Sequence, residues 1–306
     1  MGPALCLVSA ACFGALAIFG KFAYEAGVSP SALLLVRFTL AAALLWVVLL
    51  VRPELRWTDR SPGGRVLATA VGLGAIGYAA QASLFFAALR LMDASPLSLI
   101  LYTFPVLVTV AAVLLGRDRL TARRGIALVT ASTGTLLVLA GAGSFHPVGA
   151  LLGFGSAVVY TVYILVADTV VHRLPPVLLS ALVMTGAAGT LAARAAVTGG
   201  VDLSFRPVGW FWLACIAVVS TVTAMLTFFA GLRHTGPSTA AILSTFEPVV
   251  TTALAALTLG EFLTPLQLLG GALVLSSVAV LQTAGGPQPS PETGERAVRA
   301  PVEHVA

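Results

Sequence analysis

The chain has 306 residues, of which 58% are Ala, Val, Ile, Leu, Met, Phe, Trp, Tyr or Cys and only 9% are charged, against roughly 25% charged in soluble domains. A mean hydropathy of +1.00 excludes a soluble globular protein, and 17 basic and 12 acidic side chains are too few for a disordered chain, a coiled coil or a nucleic-acid surface. The net charge of +5 therefore carries information only through its position along the chain.

A membrane-spanning helix takes about 20 apolar residues, so about ten of them would use some two thirds of the chain and leave short loops and a tail. In chain order, apolar stretches separated by Pro, Gly or charge clusters fall at 3–22, 30–51, 65–90, 95–116, 123–142, 147–168, 176–199, 207–232, 238–260 and 264–284. The first lacks the basic leader of a signal peptide and precedes nine further stretches, so it reads as a retained helix. From Gly285 the composition turns to Pro, Glu, Gln and Arg, which predicts a disordered cytoplasmic tail over 285–306. Cys6, Cys12 and Cys215 lie inside apolar stretches at no metal-ligand spacing and read as packing residues.

Cytoplasmic loops are enriched in Lys and Arg, which orients the chain. With the N-terminus inside, Arg52, Arg56, Arg60, Arg65, Arg117, Arg119, Arg123, Arg124, Arg173, Arg233, Arg296 and Arg299 fall in cytoplasmic segments. Only Lys21, Arg90, Arg194 and Arg206 fall outside, and Arg37 lies within a span. The expectation is a multi-pass protein of the plasma (inner) membrane with both termini cytoplasmic.

An internal repeat carries the argument further. Residues 88–121 align without a gap onto 231–264 at a constant offset of 143, with Leu89/Leu232, Arg90/Arg233, Ser95/Ser238, Pro105/Pro248, Val106/Val249, Thr109/Thr252 and Leu120/Leu263 among the identities. Ser9-Ala10 is echoed by Ser156-Ala157. The expected fold is all-α and integral to the membrane: ten transmembrane helices as two inverted five-helix repeats, the first over 1–142 and the second over 147–284. Five helices per repeat send the second copy into the membrane in the opposite sense, and inverted repeats are a transporter signature with the solute site near the midplane.

Several motifs resemble the EamA-type carriers of the drug/metabolite transporter superfamily. They are Arg37-Phe38 in the second stretch, Ala88-Leu89-Arg90 leading to Pro105, Gly231-Leu232-Arg233 leading to Glu247-Pro248, and Leu259-Gly260-Glu261-Phe262-Leu263-Thr264 before the last stretch. The resemblance covers about 3–284 and implies a five-plus-five inverted-repeat fold that exports small metabolites or drugs. The first repeat departs from the pattern at Arg117-Asp118-Arg119 and at Phe104, where the second repeat has Glu247.

Charges at bilayer depth cost about 2.5–3.5 kcal/mol on insertion scales, so they are expected to face a cavity or a partner. Glu247 precedes Pro248, whose missing N–H leaves a carbonyl near Ser244 without its helical partner, and Ser244, Glu247 and Thr251 share a face. Glu247 is the residue expected to couple transport to protons. Arg37 lies about two turns into its helix, with a side chain long enough to snorkel to the outer interface; it reads as a structural charge in preference to a ligand for an anionic group. Tyr78 and Gln81, Ser98 and Tyr102, Tyr160 and Tyr163, and Thr223 and Thr227 are spaced three or four apart, which puts their polar tips on common helix faces. A shared solute cavity is the functional reading, and interhelical hydrogen bonding the structural one.

Gly72–Gly77 spells a dinucleotide fingerprint but lies inside a helical stretch, where close helix packing explains it better. The histidines have no ligand spacing, and no catalytic set occurs at membrane depth, so neither a cofactor nor a metal is expected. The expected partners are a small-molecule substrate and the lipid bilayer, with no nucleic acid, and the sequence leaves a homodimer open. The leading expectation is a non-enzymatic carrier that exports small organic metabolites or drugs by alternating access, with proton exchange and facilitated diffusion both left open by the sequence. The alternative is a polytopic membrane enzyme acting on lipid-like substrates.

Overall fold

The computed structural model describes residues 1–55, 63–88, 91, 97, 100–117, 119, 121–139, 146–259 and 264–282. Ser98, Arg56, Arg60 and the 285–306 tail lie outside the described residues.

Every regular element among the described residues is helical. In chain order they are α1 (Gly2–Glu25), α2 (Pro30–Val51), a 3₁₀ turn (Pro53–Leu55), α3 (Gly64–Gly72), the π-helical segment π1 (Leu73–Tyr78), α4 (Ala79–Ala88), α5 (Phe104–Leu114), α6 (Ala122–Leu139), α7 (Pro147–Val171) and α8 (Pro176–Val197). There follow α9 (Val208–Ala217), π2 (Val218–Thr223), α10 (Ala224–Thr235), α11 (Pro237–Ser244), α12 (Phe246–Leu259) and α13 (Pro265–Gln282). Among the described residues, six runs are long and apolar enough to cross a membrane: Gly2–Glu25, Pro30–Val51, Gly64–Phe85, Pro147–Val171, Pro176–Val197 and Val208–Thr235. The protein is an all-helical, multi-pass membrane protein.

Local chemistry sets the helix ends. Proline occupies the first turn of α1, α2, α5, α7, α8 and α11, where its missing N–H costs nothing and its fixed φ suits the helix. Ser29 Oγ accepts from the Ala32 N–H at 3.1 Å to cap α2, and His146 Nδ1 accepts from the Gly149 N–H at 3.3 Å to cap α7. Gly236, at φ 76°, makes the one-residue turn from α10 to α11 in a backbone conformation that side chains resist.

In the packed bundle α1 lies against α10, α12 and α9, α2 against α8, α4 against α7, and α6 against α13. The core centres on Phe38, Leu45, Leu179, Met184, Phe228 and Phe229, all fully or nearly fully buried. Outward faces carry exposed Leu50, Ile126, Leu151 and Leu257, apolar groups placed where a soluble protein would put charge. At two places backbones meet directly: a Cβ on Gly74 would collide with the Val183 carbonyl oxygen, and one on Gly186 with the Val71 carbonyl oxygen. Gly74 therefore serves helix packing between π1 and α8.

Candidate functional site

Both π segments interrupt long helices near their middles, and the residues that form them differ. π1 is rich in glycine, whereas in π2 hydroxyls bond carbonyls five residues back: Thr221 Oγ1 donates to the Ile216 carbonyl and Thr223 Oγ1 to the Val218 carbonyl, each at 2.9 Å. Such π insertions in helices are frequent at functional sites. Arg37 reaches both. Its Nε donates to Thr221 Oγ1 at 2.7 Å, and its Nη2 donates to the Tyr78 hydroxyl at 3.1 Å and to the Ser220 carbonyl at 3.4 Å. The guanidinium also lies 5.1 Å from the Phe38 ring centroid, within cation–π range. With only 4% of its surface exposed, Arg37 points into the protein. It does not snorkel to the interface, because these acceptors and rings satisfy the charge inside.

Beside Arg37 lies a cavity of about 140 Å³ whose lining includes Arg37, Tyr78, Gln81, Tyr102, Tyr160, Tyr163 and Glu247. Aromatic contacts form a continuous string around it. Phe38 meets Tyr78 edge-on at 5.0 Å, Tyr78 meets Tyr163 at 5.6 Å, Tyr163 stacks with Tyr160 at 5.9 Å, and Tyr160 meets Phe104 edge-on at 4.8 Å. Phe104 then meets Tyr102 at 6.0 Å, and Tyr102 lines the cavity together with Glu247. The string thus begins beside a cation, and its far end shares the cavity with a carboxylate. Gln81 Nε2 donates to Ser156 Oγ at 3.2 Å, which ties this wall to α7.

Six sequence-predicted residues therefore come together: Tyr78, Gln81, Tyr102, Tyr160, Tyr163 and Glu247. Three others do not line the cavity. Ser244 donates to the Ala240 carbonyl at 2.9 Å, Thr227 to the Thr223 carbonyl at 2.8 Å, and Thr223 to the Val218 carbonyl. Each hydroxyl is spent on its own helix, a competing bond that face-sharing cannot exclude. The helix does open near Glu247, at Thr245 between α11 and α12, where Thr245 Oγ1 donates to the Ile242 carbonyl at 2.6 Å. Phe13, Phe85, Phe104 and Met225 also line the cavity and were not picked out from sequence. Only Phe104 carried a signal, as the partner of Glu247 in the repeat alignment. Among the described residues no group of three His, Cys, Asp or Glu could hold a metal ion.

The fold is a helical membrane bundle with a polar, aromatic-walled internal cavity, the kind of concavity in which small-molecule sites are found. The comparisons with known proteins specify the family. The profile of the EamA-like transporter family matches residues 1–140 and 147–283, and the chain belongs to that family. It is 28% identical over 282 residues to the uncharacterized transporter YcbK of Bacillus subtilis, covering 88% of each chain. It is 26% identical over 272 residues to the uncharacterized transporter YyaM of the same organism, covering 86% of this chain and 88% of that one. An uncharacterized transporter of Archaeoglobus fulgidus matches at 27% over 218 residues, 71% of this chain and 77% of the relative. A solved crystal structure superimposes with a TM-score of 0.78 at 20% identity over 92% of this chain and 96% of that chain, a likeness of fold. The protein is a membrane transporter, and the membrane-enzyme alternative is not favoured.

Proposed function

We propose that the protein exports a small organic metabolite or drug by alternating access of two inverted five-helix halves, in exchange for protons. The observation that carries this reading is the internal cavity in which Arg37, contributed by one half, and Glu247, contributed by the other, face the same tyrosine-walled space. Tyrosines offer apolar area with a hydroxyl handle at low entropic cost, which suits an amphipathic or aromatic solute.

The two-half arrangement is supported by matched hydrogen bonds. Ser9 Oγ donates to the Ala224 carbonyl at 2.8 Å and Ser156 Oγ to the Gln81 carbonyl at 3.1 Å, and both the serines and their acceptors are repeat counterparts. Tyr78 and Thr221, the two side chains that accept from Arg37, stand at the repeat offset of 143. The turns at Tyr102 and Thr245 stand at the same offset, and π1 and π2 interrupt the third and eighth stretches.

Glu247 is the carboxylate at mid-depth, so a proton and the solute would occupy the site alternately. Glu247→Gln mimics the protonated form. It is expected to keep solute binding and to lose export driven by a pH gradient, measured in inverted vesicles. Unchanged pH-driven export by Glu247→Gln would leave a facilitator with a structural glutamate.

A further inference from the structure

A second concavity, of about 440 Å³, opens on the outside of the bundle between the α3–π1–α4 run and α7. Its position, length and chemistry each constrain what fills it. Ile76 and Val162 on its walls are 74% and 55% exposed, so the groove faces the hydrocarbon of the bilayer. No charged residue lines it, and the hydroxyl of Thr69 at one end is already bonded to the Arg65 carbonyl at 2.8 Å. From Thr69 to Ala80 the helical wall runs about 16 Å at 1.5 Å per residue, which is about half of the ~30 Å hydrocarbon core. The groove is therefore one leaflet deep. Arg65, exposed, lies one helical turn beyond the Thr69 end, at the level where that leaflet's headgroups begin.

We propose that this groove is a lipid site: it seats one acyl chain of an anionic phospholipid, with the phosphate at Arg65 and the chain lying over Tyr163. An acyl chain matches the apolar lining and the one-leaflet length, and Arg65 supplies the charge complement for the headgroup. The site also touches the central cavity. Tyr163 lines both spaces, is 2% exposed, and sits against Gly77, where an added Cβ would lie 3.1 Å from its Cδ2. A seated chain therefore presses on a wall of the solute cavity, separated from it by a single ring.

The test uses the full chain with its four tryptophans replaced by Phe and Tyr163→Trp as reporter, in vesicles whose phosphatidylglycerol or phosphatidylcholine carries brominated acyl chains. The expected result is quenching of this buried indole, about fivefold more effective with brominated phosphatidylglycerol than with phosphatidylcholine at equal mole fraction, given one basic residue at the headgroup. Gly72→Phe, whose Cβ meets nothing within 4 Å at a position lining the groove, should fill the groove and abolish the quenching. Arg65→Gln should make the two lipids equivalent, and inorganic phosphate should leave the quenching unchanged. No quenching, or quenching that survives Gly72→Phe, would overturn the site, and lipid-independent quenching in the parent would overturn the headgroup assignment. If Tyr163→Trp does not fold, native mass spectrometry of the otherwise unaltered chain decides. Phosphatidylglycerol should be retained and then lost on Gly72→Phe, and equal retention would refute the proposal.

Discussion

Arg37 joins groups that the sequence keeps far apart: Tyr78 is on π1 and Ser220 and Thr221 are on π2, so one guanidinium ties both π segments to α2. A hydrogen bond to a charged group contributes about 1.5–3 kcal/mol, and loss of the charge also strands its buried acceptors. Arg37→Met is expected to lower stability by about 3 kcal/mol, read as a fall in unfolding temperature in detergent. Arg37→Lys should restore little of it, because an ammonium is a point donor and cannot hold the fork of three acceptors. At the other wall, Tyr160→Ala is expected to lower transport while leaving protein abundance in the membrane unchanged. Equal loss of both would assign Tyr160 to helix packing. That Arg37 and Glu247 face a cavity or a partner was legible from the cost of charge at bilayer depth. The direction Arg37 takes was not, since a side chain that long reaches either the interface or the interior, and only the positions of Thr221 and Tyr78 decide.

At the scale of elements, the backbone contacts are the most demanding. A methyl group on Gly74 must displace the Val183 carbonyl, which has no flexible end to yield. Gly74→Ala is expected to cost about 1–3 kcal/mol, as overpacking does, and to reduce the folded fraction in detergent. Gly20→Ala, with nothing within 4 Å of the added group, should be neutral. Element ends were legible where proline and charge mark them: the stretch expected at 30–51 is α2, opened by Pro30 and closed before Arg52-Pro53. The π segments were not legible, because glycine spacing in 72–77 signals close packing without fixing the hydrogen-bond register. The threonine pair on the eighth stretch misled for a related reason. Spacing places Thr223 and Thr227 on one face, but back-bonding to the carbonyls of Val218 and Thr223 removes their hydroxyls from the cavity.

Across the whole molecule, contacts between distant segments set α1 antiparallel to the α9–α10 run. The Arg206 N–H donates to the Ala26 carbonyl at 3.0 Å, and Cys6 Sγ lies 3.8 Å from Thr235 Oγ1, so the ends of α1 meet the two ends of the α9–α10 run. With Cys6, Cys12 and Cys215 replaced, single cysteines at Glu54 and Asp202 should label from opposite sides with an impermeant thiol reagent, Asp202→Cys from outside. Labelling of both from one side would refute the proposed orientation. Sites that enclose drug-sized ligands measure about 300–1,000 Å³, whereas the space between Arg37 and Glu247 is about 140 Å³. Under the proposed function, a drug-sized cargo must therefore push these walls apart before it is enclosed. Cargo volume then sets the length of the stroke, and turnover across a series of solutes with the same polar groups should slow as their volume grows.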